Sequence, residues 1–139
     1  MKIILTIFVL IIFNNVQSQN ADLTKITVKE FITLLYPEKE DPFNILVIEK
    51  EAPEYWIKQD DLPYLMSLLK TKEPSKCVMH IYSSHLRTSE STIAGHAADL
   101  INCYRENDIY GNFLNRCANV NDEDIMEIEQ WWSLLQKKN

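Results

Sequence analysis

The sequence predicts an all-α fold, a small single-domain bundle of about five helices. Two observations point there. Glycine occurs only at Gly95 and Gly111, whereas sandwiches and barrels draw on glycine-rich turns. Several segments also place apolar residues three and four apart, the spacing that lines one face of a helix. No repeat at a fixed period and no low-complexity tract interrupts that pattern.

The first helix follows Thr27, which with Glu30 has the capping-box form, and carries Val28, Phe31, Ile32 and Leu35 before Pro37 ends it. Residues 38–58 are harder to place. Asn44-Ile-Leu-Val-Ile-Glu is short and apolar between Pro42 and Pro53, and reads as an irregular or extended segment. A second helix is expected from about Asp60 to Thr71, with Pro63 in its first turn and Leu62, Leu65, Met66 and Leu69 in one stripe. A third is expected from Pro74 to about Ser84, carrying Cys77, Val78, Ile81 and Tyr82. The alternation in Cys77-Val-Met-His-Ile-Tyr also allows a strand there.

A fourth helix starts near Ser91, a good cap, with Ile93, Ala97, Leu100, Ile101 and Tyr104 on one face. Residues 107–121 read as a loop. In the last helix Asn121 is the cap, and Asp122, Glu123 and Asp124 suit its positive end. Lys137 and Lys138 suit its negative end, and Ile125, Ile128, Trp132 and Leu135 form its buried stripe. Consecutive amphipathic helices imply helix-on-helix packing. The alternative is α+β, with short strands near 44–50 and 76–82.

The N-terminus predicts export. Lys2 is followed by an apolar run over residues 3–13, which fits a signal peptide and is short for a membrane span of roughly 20 residues. Cleavage is expected after Ser18, making 1–18 a signal peptide and 19–139 a single globular domain, periplasmic or extracellular. No stable membrane insertion is expected after cleavage. Loss of Lys2 takes the net charge from −6 to −7. That sign opposes nucleic acid and suits solubility or a basic protein partner. Cys77, Cys103 and Cys117 then meet an oxidising compartment, where one disulfide leaves one cysteine over.

The stretches Asp61-Leu-Pro-Tyr-Leu-Met-Ser-Leu-Leu, Lys72-Glu-Pro-Ser-Lys-Cys-Val and Ser91-Thr-Ile-Ala-Gly-His-Ala-Ala-Asp-Leu-Ile lie within residues 56–104. They resemble small uncharacterised bacterial proteins, often exported, with HEAT-like helix pairs. The resemblance implies a helical stack and brings no activity.

Among candidate chemical groups, His80 and His85 sit about 140° apart around a helix, which does not suit a shared metal. His96 and Asp99 are i, i+3 and share a face, so a proton-transfer or metal pair is conceivable there, with Glu90 and Asp124 as further ligands if the fold brings them near. His96 between Ile93 and Leu100 also suits a partly buried structural histidine. Ser83, Ser84, Ser89 and Ser91 lie near histidines, yet serine is what caps and turns require, and no Gly-x-Ser-x-Gly elbow is present.

Tyr55-Trp56 and Trp131-Trp132 offer aromatic anchors for a sugar or peptide groove. Trp132 belongs to the buried stripe, so Trp131 is the candidate for contact. For the disulfide, Cys103–Cys117 would clamp the 107–121 loop and is favoured slightly over Cys77–Cys103. The reading that follows is an exported acidic helical module, inhibitor- or immunity-like, binding another macromolecule without a cofactor. Binding residues would include Trp131, His96 and Asp99. The alternative is a small exported hydrolase or metal-dependent enzyme using His96, Asp99 and a residue from the 80–91 segment.

Overall fold

A computed structural model of the chain describes residues 19–39, 43–83, 88–107 and 114–138. The expected signal peptide and its cleavage after Ser18 lie outside these residues, as do Ser84, His85 and Gly111.

The first strand, β1 (Asn20–Asp22), leads into helix α1 (Val28–Leu34) and then strand β2 (Ile45–Lys50). A 3-10 turn over Gln59–Asp61 opens α2 (Leu62–Leu68), followed by strand β3 (Cys77–His80), α3 (Ile93–Glu106) and α4 (Asp122–Gln136). The fold is therefore α+β, and the all-α expectation is corrected. The three strands form a parallel sheet in the order β1-β2-β3. Leu46 pairs with Val78, and Ile48 with both Ala21 and His80.

The correction has a clear physical source. Parallel strands are joined by helical crossovers, so this sheet needs no glycine-rich hairpins. The segment expected as a third helix is β3, and residues 56–104 fold as helix, strand, helix rather than as stacked helix pairs. Four residues cannot show which period they follow, and β3 takes its identity from β2, some thirty positions away. The two strands coincide with the segments of the α+β alternative.

Helix α1 forms where local signals agree. The Glu30 N–H donates to Thr27 Oγ1 at 3.2 Å and the Thr27 N–H donates back to Glu30 Oε2 at 2.7 Å, closing the capping box. Val28, Phe31, Ile32 and Leu35 are buried. Helix α3 is the centre of the molecule, buried continuously from Ile93 to Ile101 and touching α1, α2 and α4. Its cap is Thr92 rather than Ser91, with the Gly95 N–H donating to Thr92 Oγ1 at 3.0 Å. Gly95 is required by a close approach, because a Cβ there would lie 2.3 Å from the Ala118 carbonyl oxygen. Helix α4 is capped by Asn121 as expected, and Ile125 and Ile128 are buried while Trp132 and Leu135 are half-buried.

The disulfide joins Cys77 to Cys117, so neither the Cys103–Cys117 nor the Cys77–Cys103 pairing holds. Cys77 lies on a strand rather than a helix, and Arg116 bridges Val78 antiparallel on the outer edge of β3. That bridge brings the Cα atoms of Cys77 and Cys117 to 4.3 Å. Cys103 faces the core from α3 and is 1% exposed. A disulfide of this kind points to an oxidising, exported compartment. No helix among the described residues is long and apolar enough to cross a membrane.

Candidate functional site

The polar residues buried most deeply meet where β3, the 88–92 segment, α3 and residue 118 converge. His96 is wholly buried, and its Nε2 lies 2.9 Å from the Lys76 carbonyl oxygen and 3.1 Å from Ser91 Oγ. A carbonyl only accepts, so Nε2 carries the proton and donates. Ser91 Oγ accepts from the Ala118 N–H at 3.0 Å and lies 2.8 Å from Ser75 Oγ. Burial pushes the imidazole down to about 4, an effect partly opposed by the Lys76 carbonyl. A neutral Nε2–H histidine cannot take the Ser91 proton. The pair thus has the distance of a nucleophile and base but the wrong tautomer for that chemistry. It ties four segments together.

One turn on, burial raises Asp99 to about 6 even though Arg116 opposes the shift. Arg116 Nε stands 3.1 Å from Asp99 Oδ2. His96 and Asp99 do share a helix face, as the spacing requires, yet both are buried, which removes them from direct contact with a partner. Lys76, Ser75 and Arg116 were missed in sequence. Their roles in this junction arise from contacts across 15 to 20 positions, for which no local signal exists.

His80 ends β3, where it accepts the Tyr82 N–H on Nδ1 at 3.2 Å and stands 3.6 Å from Glu51. Asp22 and Lys50 pair at 3.3 Å at the neighbouring strand ends. Open parallel sheets bind ligands at this edge, but here the charges are matched to one another. His85 lies outside the described residues. Among the described residues, no three His, Cys, Asp or Glu side chains are grouped to hold a metal.

Tyr55 and Trp56 separate as adjacent residues should, whereas Trp131 and Trp132 are both half-buried. Trp56 is buried, stacks edge-on against Phe31 with centroids 5.7 Å apart, and donates its Nε1–H to the Ile26 carbonyl at 2.8 Å. Tyr55 is 68% exposed and holds a left-handed backbone at φ 59°, an uncommon and strained conformation for a bulky side chain. Tyr55 and Tyr104 share a hollow of about 320 Å³. Tyr104 in turn packs edge-on against Trp131, centroids 6.4 Å apart.

Beyond Trp131 a groove of about 440 Å³ opens between α3 and α4, lined among others by Asn102, Arg105, Glu106, Asp124 and Glu127. Arg105 lies 5.4 Å from the centre of the Trp131 ring and donates to Glu127 Oε1 at 2.8 Å. One guanidinium therefore faces three carboxylates, and the groove is net negative. Of the residues singled out in sequence, Asp124 lines the groove with Trp131, and Tyr55 is linked to Trp131 through Tyr104.

No protein-family model, curated protein or solved structure matches this chain.

Proposed function

We propose that the chain is a non-enzymatic exported module, periplasmic or extracellular, that binds a basic protein segment along the Tyr55–Tyr104–Trp131 surface. In an inhibitor- or immunity-like role, the partner would be held by aromatic anchors and an acidic rim. The carrying observation is that Tyr55 and Trp131, far apart in sequence, flank one tyrosine beside a net-negative groove. Aromatic side chains supply large contact area at low entropic cost, and they dominate binding hot spots.

The net charge, −6 for the full chain and −7 without Lys2, has the same sign as the groove and favours a cationic partner. The hydrolase alternative draws no support from Ser91 and His96, because the imidazole donates where a base must accept.

Isothermal titration with a short Arg- and Lys-rich peptide tests the reading. Saturable binding that weakens about tenfold or more in Trp131→Ala, and again as salt rises, is expected. Binding unchanged by both, or no binding at low salt, contradicts it.

A further inference from the structure

The start of β3 carries a group that neither the polar junction nor the groove employs. Lys76 has a side chain only 1% exposed. Its Nζ donates to Gln19 Oε1 at 2.6 Å and lies 3.6 Å from Glu38 Oε1. Each partner is positioned by backbone. The Val47 N–H donates to the Gln19 carbonyl at 3.2 Å, holding residue 19 at the edge of β2. The Lys76 N–H donates to the Leu35 carbonyl at 2.7 Å, which brings the end of α1 and the following Glu38 alongside. The next residue, Cys77, is anchored by its disulfide. A primary amine, a carboxamide and a carboxylate are thus held together, with the amine excluded from water.

We infer that Lys76, Gln19 and Glu38 form an intramolecular amide cross-link. Glu38 takes a proton from the Lys76 ammonium, and the neutral Nζ attacks Gln19 Cδ. The Nζ–Cδ bond forms and the Cδ–Nε2 bond of the carboxamide breaks. Glu38 returns that proton to Nε2, which leaves as ammonia, and then passes the second Nζ proton to the departing ammonia, so that the new amide keeps one hydrogen and ammonium is released. One amide replaces another, so no oxidant, reductant or cofactor enters, and escape of ammonia to solvent makes the step directional. Positioning accounts for the rate: an amine fixed against a carboxamide replaces a bimolecular encounter, and lysine amines are established nucleophiles at carbonyl carbon once deprotonated. The product ties residue 19, ahead of β1, to the start of β3 across the sheet, beside the disulfide that ties β3 to residue 117.

The test is the intact mass of the full chain produced with export, followed by peptide mapping. The expected mass lies about 17 Da, one ammonia, below that of the disulfide-bonded chain. Mapping is expected to yield a branched peptide joining residues 19 and 76. Glu38→Gln, at a side chain 59% exposed, is expected to fold, to melt at a lower temperature for want of the cross-link, and to lack both the mass loss and the branched peptide. Lys76→Arg should lack them too. An unshifted mass overturns the inference. So does a chain beginning beyond residue 19, or a loss confined to a linear peptide whose terminal Gln19 has cyclised on its own amine. A cross-link at full yield in Glu38→Gln removes the role given to Glu38 and overturns the triad.

Discussion

His96 and Asp99, one turn apart on α3, are displaced in opposite senses by the same burial, and their effects on stability oppose one another. The imidazole protonates near 4 in the fold against 6.5 in the open chain. The unfolded state therefore binds the extra proton, and stability is lost as pH falls from about 6.5 to about 4. Asp99 protonates near 6 against 3.8. There the folded state binds the extra proton, and stability is gained as pH falls through about 6 towards 3.8. Each effect reaches roughly 3 kcal/mol over its full window, so the native pair nearly cancels. Asp99→Asn removes one side. Relative to the native chain, it is expected to lose roughly 2 kcal/mol more stability between pH 6.5 and 4.5, read from urea unfolding at each pH. Parallel profiles for the two proteins would contradict the assignment. Spacing alone made the two residues neighbours. The carbonyl that sets the histidine's tautomer belongs to Lys76, twenty positions away, and nothing local announces it.

At the scale of elements, legibility followed locality. Helices α1 and α4 were readable because their caps, Thr27 and Asn121, lie within three residues of the groups they satisfy. Thr27→Ala is expected to cost about 1 kcal/mol in chemical denaturation, since it removes the Thr27 Oγ1 acceptor of the capping box and leaves only the backbone N–H to Glu30. Strand β3 was misread because four residues acquire their conformation from β2 and from Arg116, not from their own pattern. The glycine count misled for a related reason: it argues against hairpins, and a parallel sheet has none. Gly95 shows what scarce glycine does here. Gly95→Ala gains helix propensity of about 1 kcal/mol yet places a methyl group against the Ala118 backbone, where no flexible side chain can yield. Net destabilisation of about 1–3 kcal/mol is expected, and a variant as stable as the native chain would show that the 118–119 segment gives way.

The whole molecule is a small mixed domain held by a parallel sheet, a central helix and a disulfide linking positions 40 apart. By the chain-entropy relation a loop of that length is worth roughly 4 kcal/mol. Unfolding in urea with and without a thiol reductant is expected to differ by about that amount, and coincident curves would mean that the reduced chain is equally constrained. Cys103–Cys117 was favoured in sequence because it would anchor the 107–121 loop; with Cys77 on β3, the strand-edge bridge at Arg116 selects Cys77 for Cys117 instead.

The candidate surface was legible in its parts, Tyr55 and Trp131, but Tyr104, which joins them, was read only as a helix-face residue. The most direct test of the binding proposal is NMR titration of the isotope-labelled protein with an Arg- and Lys-rich peptide. Shift changes are expected to concentrate at Tyr55, Tyr104, Arg105 and Trp131 and to leave Ser91 and His96 unmoved. Changes centred on Ser91 and His96, or spread evenly over the acidic surface, would contradict the account.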